Sequence, residues 1–138
     1  MKLILNKCFG GFGLSKEAYE LYAEKKGIKV YEYYQDYEKG FDYFKKGNNG
    51  ICKFYFTKDF GQEIKLNNEE YGKYCLDLSE EDRTDKILIE VVEELGKKAN
   101  NMYSNLKVVE IPDNSFYKID KYDGVETIYY SDTEIKEK

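Results

Sequence analysis

Within its first 26 residues the chain passes from strand to helix through a corner made largely of glycine. Leu3-Ile4-Leu5 is a short apolar run, and Lys2 to Lys7 reads as a buried strand. Cys8-Phe9-Gly10-Gly11-Phe12-Gly13-Leu14 follows, with three glycines in four residues. Ser15 stands where a helix N-cap belongs, because its side chain accepts from an otherwise unpaired backbone N–H. Ala18, Leu21 and Tyr22 then share one face at helical spacing, and Gly27 after Lys25-Lys26 is a C-terminal stop. Strand, glycine loop and helix come in direct succession, so the helix must pack back on a sheet that the strand belongs to.

The rest of the chain adds mostly strands. Lys29 to Tyr34 is rich in aromatic and β-branched residues and predicts a strand; the segment after it reads as irregular or a short helical turn. Gly47 to Gly50 marks a loop. Ile51 to Thr57 alternates as a strand, and after a turn at Lys58 to Gly61, Gln62 to Leu66 is expected as its hairpin partner. Asn67 to Leu78 carries no readable pattern. A second helix starts at a Thr84 or Asp85 cap, with Ile87, Leu88, Val91, Val92 and Leu95 in one stripe. The stripe stays in phase through Ala99, which puts Gly96 inside the helix at a cost of roughly 1 kcal/mol against alanine. Asn100-Asn101 ends it. "LKVVEIP" predicts a strand that stops at Pro112. Phe116 to Lys121 and Val125 to Tyr130 flank Asp123-Gly124, a hairpin signal. The expected fold is α+β: two main helices on a mostly antiparallel sheet, with a strand–glycine loop–helix start and a C-terminal hairpin. Residues 1–130 are expected as one ligand-binding domain and 131–138 as a charged, frayed tail.

Composition excludes several function classes. The net charge of −5 is well mixed, with no basic face for a DNA or RNA polymer. There is no histidine, which removes the usual neutral-pH general base and the commonest metal ligand. Cys8, Cys52 and Cys75 are widely spaced and form no CxxC pair, so neither a zinc site nor a redox motif is supported, and reduced thiols in a cytosol fit best. The N-terminal apolar run is too short for a signal peptide or a membrane span. No cofactor motif is present, and the carboxylates form no recognisable acid–base pair.

Two features carry candidate chemistry. Glycines before a helix N-terminus bring backbone N–H donors and the positive end of the helix dipole toward an anion. Gly10, Gly11 and Gly13 nevertheless fit neither G-x-G-x-x-G nor a Walker ending, and a tight turn explains them at least as well. Phe9 and Phe12 could stack a base or plug the core. Arg83, the one arginine among 22 basic residues, opens the second helix. Its planar fork suits a pyrophosphate, while the adjacent Glu80, Glu81 and Asp82 suit a local salt bridge. The candidate ligand-binding residues are therefore Phe9, Gly10, Gly11, Phe12, Gly13, Ser15 and Arg83; no catalytic or metal site is assigned.

"KCFGGFGLSKEA", the arginine at a helix start, "VVEELGKKANN", "VVEIPDN" and "YDGVE" together resemble small phage and prophage proteins, and among them the type-one Thoeris anti-defence family. The resemblance covers Lys2 to Ala18 and Arg83 to Glu126 and leaves out the middle. It implies a protein of the bacterial host cytosol that binds a cyclic ADP-ribose signal, a glycocyclic isomer, and holds it uncleaved as a sponge. It also implies a homo-oligomer, a hexamer among the sizes, with pockets between subunits. In some members cyclic oligonucleotides are held at a separate site. The competing expectations are a hydrolase of a nucleotide signal that works with carboxylates alone, and an acidic inhibitor that binds a host protein.

Overall fold

The structure, a computed structural model, describes residues 1–48, 53–78 and 83–133. Among these residues the fold is α+β, with three helices and eight strands in antiparallel sheets. The chain divides into two compact units, one of 1–22 with 78–138 and one of 23–77.

The first unit is built on β1 (Lys2–Asn6), which pairs antiparallel with β6 (Leu106–Glu110), Ile4 opposite Val108. Leu3, Ile4 and Leu5 are all fully buried, so β1 is covered on both faces, as its unbroken apolar run requires. Helix α1 (Lys16–Lys26) begins after Ser15, whose Oγ accepts from Ala18 N–H at 3.1 Å. Helix α3 (Lys86–Leu95) begins after Asp85, whose Oδ1 accepts from Ile87 and Leu88 N–H at 2.9 and 3.1 Å. The α3 stripe buries Leu88, Ile89, Val91 and Val92, and the helix packs on β1 and β6. Gly96 does not sit inside the helix. It takes φ +56°, ends α3, and a short 3-10 turn over Gly96–Ala99 carries the stripe on to buried Ala99. The apolar phase survives because Ala99 still reaches the core; the hydrogen-bond ladder does not, because glycine accepts a left-handed φ without a Cβ clash. Strands β7 (Phe116–Tyr122) and β8 (Val125–Ser131) form the expected hairpin on a two-residue turn, Asp123 at φ 49° and Gly124 at φ 89°.

The second unit is a four-stranded antiparallel sheet in the order β4-β2-β3-β5. β2 is Tyr31–Gln35 and β4 is Phe54–Phe56, both near their expected places. β3 (Tyr43–Lys46) falls where an irregular segment or helical turn was expected, and β5 (Glu63–Lys65) pairs with β3 rather than with β4. Helix α2 (Asn68–Tyr74) fills the stretch that had no pattern. It buries no residue fully, so it writes no apolar stripe; its signature is instead the capping box of Asn67 and Glu70. Tyr33, Phe44, Phe56 and Leu66 form the core of the unit, with Phe44 and Phe56 edge-to-face at 5.2 Å. The expected single sheet is thus three: β1-β6, β4-β2-β3-β5 and β7-β8. Asn49 and Gly50 of the glycine–asparagine loop, Ile51 and Cys52, the acidic run 79–82 and the tail 134–138 lie outside the described residues.

Candidate functional site: an aromatic groove beside the glycine loop

The glycine loop is held in place from three sides. Asn6, fully buried at the end of β1, donates from Nδ2 to the carbonyls of Cys8 (2.8 Å) and Gly124 (2.7 Å). Its Oδ1 accepts from Cys8 and Asn105 N–H at 3.3 and 2.9 Å. One amide side chain thereby ties the loop to the β7–β8 turn and to the start of β6, with its hydrogen-bonding capacity filled. A Cβ on Gly10 would stand 2.2 Å from the Tyr103 carbonyl oxygen, and one on Gly13 would stand 2.1 Å from Asn101 Nδ2. These two glycines are small because the 101–104 segment lies against them. Gly11 has open space but φ +96°, a conformation that side chains resist. Gly124 in turn comes so close that its Cβ would meet Gly11 N at 2.4 Å, which locks the hairpin turn onto the loop.

The helix N-terminus behind the loop is similarly engaged. Ser15 Oγ caps Ala18 and donates to the Lys98 carbonyl at 2.6 Å, while Ser15 N–H donates to the Ala99 carbonyl at 2.9 Å. Ser104 Oγ donates to the Gly13 carbonyl at 2.7 Å. Three of the glycine-loop features thus meet protein partners rather than an open anion cradle.

Arg83 also has a partner, Glu126; the local salt bridge expected with Glu80, Glu81 or Asp82 lies outside the described residues. Its Nη1 and Nη2 donate to the two carboxylate oxygens of Glu126 at 2.8 and 3.0 Å, a bidentate fork. The Glu126 side chain is 1% exposed and also accepts from the Asn6 backbone N–H at 2.8 Å. The guanidinium carbon lies 3.6 Å from the centre of the Phe12 ring, a close cation–π stack. Phe12 thus faces Arg83, and the partly buried Arg83 forms one polar cluster with buried Glu126 and Asn6, joining β1, the start of α3 and β8.

Phe9 is the exception. Its ring is 71% exposed. Together with the β7–β8 hairpin it lines a groove of about 450 Å³, walled by Tyr122, Val125 and Tyr129, with Asp120, Lys121 and Thr127 as the polar groups. Tyr122 and Tyr129 are 76% and 54% exposed, so three aromatic rings stand at the surface of one concavity. Such a site can stack a planar ring and accept from hydroxyl or amino groups at Asp120, while the Lys121 ammonium beside it lies 3.9 Å from the Glu126 carboxylate. A second cavity, about 490 Å³, opens on the aromatic core of the other unit and is lined by Phe41, Phe54, Tyr71, Gln35, Asp42 and Asn68 among others, without a lysine or arginine.

Of the seven candidate residues, the structure brings Phe9 into a groove, sets Gly10, Gly11, Gly13 and Ser15 in the scaffold beneath it, and stacks Phe12 on Arg83. The sequence reading passed over Asn6, Glu126, Tyr122 and Tyr129. Asn6 had one signal, a polar residue closing an otherwise apolar strand. Among the described residues, no group of three or more Cys, Asp or Glu could hold a metal ion, and no helix is long and apolar enough to cross a membrane. Comparison of the chain with protein-family models, curated proteins and solved structures finds no match.

Proposed function

We propose that the chain captures a small nucleotide signal, of the cyclic ADP-ribose type, in the groove between Phe9 and the β7–β8 hairpin, and holds it without cleaving it. The supporting observation is the groove's composition: three exposed aromatic rings, one lysine and one carboxylate around about 450 Å³. A cyclic ADP-ribose offers an adenine to stack, hydroxyls for Asp120 and a pyrophosphate for Lys121. The absence of histidine from the sequence fits capture better than hydrolysis at neutral pH. In this reading the glycine loop and Arg83 act by position: Gly10, Gly11 and Gly13 let the backbone carry Phe9 to the groove, and Arg83 anchors the hairpin through Glu126. The resemblance to the Thoeris anti-defence proteins supplies the setting, a bacterial cytosol during infection, and a homo-oligomeric assembly.

Thermal-shift and calorimetric titration with a panel of cyclic ADP-ribose isomers and cyclic oligonucleotides tests the reading. At least one isomer should stabilise the protein and return intact after heat release. Phe9→Ala and Tyr122→Ala should each weaken binding at least about fivefold, the worth of one lost stack of ~1–3 kcal/mol. Both side chains are exposed, so stability should stay within about 0.5 kcal/mol of the parent. Recovery of a cleaved nucleotide, or unchanged affinity in both variants, would overturn it.

A further inference from the structure

We infer that β7 is an interface strand, on which a second copy of this chain pairs antiparallel about a twofold axis at Ile119. The hairpin is a two-stranded sheet, and its two outer edges differ. On β8 the outer edge is occupied at its start: Lys7 Nζ donates to the Glu126 carbonyl at 2.6 Å, and Asn6 Nδ2 donates to the Gly124 carbonyl just before it. Among the described residues β7 ladders with β8 alone.

The turn fixes which residues face the outer edge of β7. In a two-residue hairpin the flanking pair, here Tyr122 and Val125, exchanges both hydrogen bonds, and bonded and non-bonded pairs then alternate. Glu126, in the next pair, therefore turns its carbonyl outward, as the Lys7 bond to it shows. Its cross-strand partner Lys121, and Ile119 two residues on, direct their backbone groups outward on the β7 side.

The sequence of β7 is complementary to itself in this register. Reading Phe116-Tyr117-Lys118-Ile119-Asp120-Lys121-Tyr122 against its own reverse puts Ile119 on Ile119, Lys118 on Asp120, Tyr117 on Lys121 and Phe116 on Tyr122. That gives two opposite-charge pairs, two cation–aromatic pairs, two aromatic pairs and an aliphatic centre. The Lys118–Asp120 pairs fall at positions not bonded across the axis, where cross-strand side chains stand closest. Lysines on an open edge ordinarily repel a neighbouring strand. Here they admit one that presents an aspartate opposite Lys118, which this strand does. Exposed aromatics on both faces of the hairpin, Phe116, Tyr122, Tyr129 and Tyr130, are the surface such a pairing would extend or cover. An isologous contact of this kind closes at two copies. Where the groove is the nucleotide site, a consequence that rests on the proposed function, Phe116 and Lys118 of the second copy fall beside Tyr122 and Asp120 and add an aromatic ring and a cation to its wall.

Sedimentation velocity of the nucleotide-free protein tests the pairing apart from any ligand. The parent chain should self-associate to a dimer. Lys118→Asp and Asp120→Lys should each weaken association about tenfold, since each places two like-charge pairs across the axis. An equal mixture of the two variants should recover parent-strength association as a heterodimer, because aspartate then faces lysine at both positions. The double variant K118D/D120K should recover it too. The Lys118–Asp120 contact within one strand, at 3.6 Å, cannot produce recovery on mixing. A parent chain that stays monomeric, single variants that associate like the parent, or a mixture that fails to recover would each overturn the inference, and none of these outcomes bears on whether the groove binds a nucleotide.

Discussion

Two buried polar arrangements, one in each unit, show how differently this chain stabilises its halves. In the unit of 23–77 the core is aromatic, and one of its buried polar groups is the Tyr33 hydroxyl, which accepts from Phe60 N–H at 2.9 Å and donates to the Gly61 carbonyl at 2.7 Å. Burial pushes the Tyr33 phenol above its ordinary value, so it stays neutral and costs one satisfied hydroxyl. In the unit of 1–22 and 78–138 the core is largely aliphatic, and it encloses the Arg83–Glu126 ion pair together with Asn6. The first arrangement is local, tying a strand to a turn 27 residues away. The second joins Asn6 to Glu126 across 120 residues of sequence. A neutral hydroxyl costs little to bury and secures little beyond its own loop. A buried charge costs much and is retained where it fixes one arrangement of distant segments, here the position of the hairpin relative to the glycine loop.

The contrast breaks most sharply at Arg83. Arg83→Ala should cost about 3–5 kcal/mol in denaturant unfolding, because it removes the bidentate partner of the buried Glu126 carboxylate and leaves it the Asn6 N–H and a Lys121 ammonium 3.9 Å away. The double replacement Arg83→Met with Glu126→Leu should recover most of that loss. A single variant that unfolds like the parent while losing nucleotide affinity would instead make Arg83 a ligand residue. Tyr33→Phe is the matched change in the other unit and should cost about 1–3 kcal/mol, the worth of leaving the Phe60 N–H and Gly61 carbonyl unpaired; a cost equal to that of Arg83→Ala would erase the distinction.

Acid provides the smallest and most selective probe. In the aromatic unit, burial raises the Asp36 carboxyl, but its hydrogen bond and charge interaction with Lys45 outweigh this and hold it below the ordinary 3.8. The hydrogen bond from Lys46 and the Gly61 N–H hold Asp59 below 3.8 as well. A carboxyl whose folded value lies below its unfolded one contributes stability that is fully present above the unfolded value and is lost as pH falls through the folded value. Stability of this unit should therefore decline below about pH 4 and be flat between pH 5 and 7 on account of these groups. Amide exchange across β2 and β3, followed from pH 6 to 3, checks this. Asp59 is exposed and Asp36 is partly so, and the decline should be modest and should shrink with added salt.

How far the sequence could be read depended on the range of the interaction. The buried β1 strand, the Ser15 and Asp85 caps, the α3 stripe and the Asp123-Gly124 hairpin were all legible. Each is set by residues within a few positions of one another: by period, by cap chemistry, or by two residues that accept positive φ. β3 and α2 were not, since β3 is a four-residue strand and α2 buries no residue fully. The pairing of β5 with β3 also escaped, because adjacency in sequence suggested a hairpin with β4. At the site, the glycines marked a close approach without saying to what. A ligand phosphate and the Tyr103 carbonyl ask the same thing of Gly10, the absence of a Cβ.

The sequence by itself determined the class of fold, the places where the chain must turn, and the short supply of arginine and histidine. These follow from local sterics and composition. Only the tertiary structure decided that Arg83 faces Glu126, that Phe12 lies under the guanidinium while Phe9 stays in solvent, and that the hairpin tyrosines complete a groove with Phe9. The reason is physical. A charge or a ring carries the same intrinsic preference wherever it stands, and its partner is chosen by which distant segments the cores bring together.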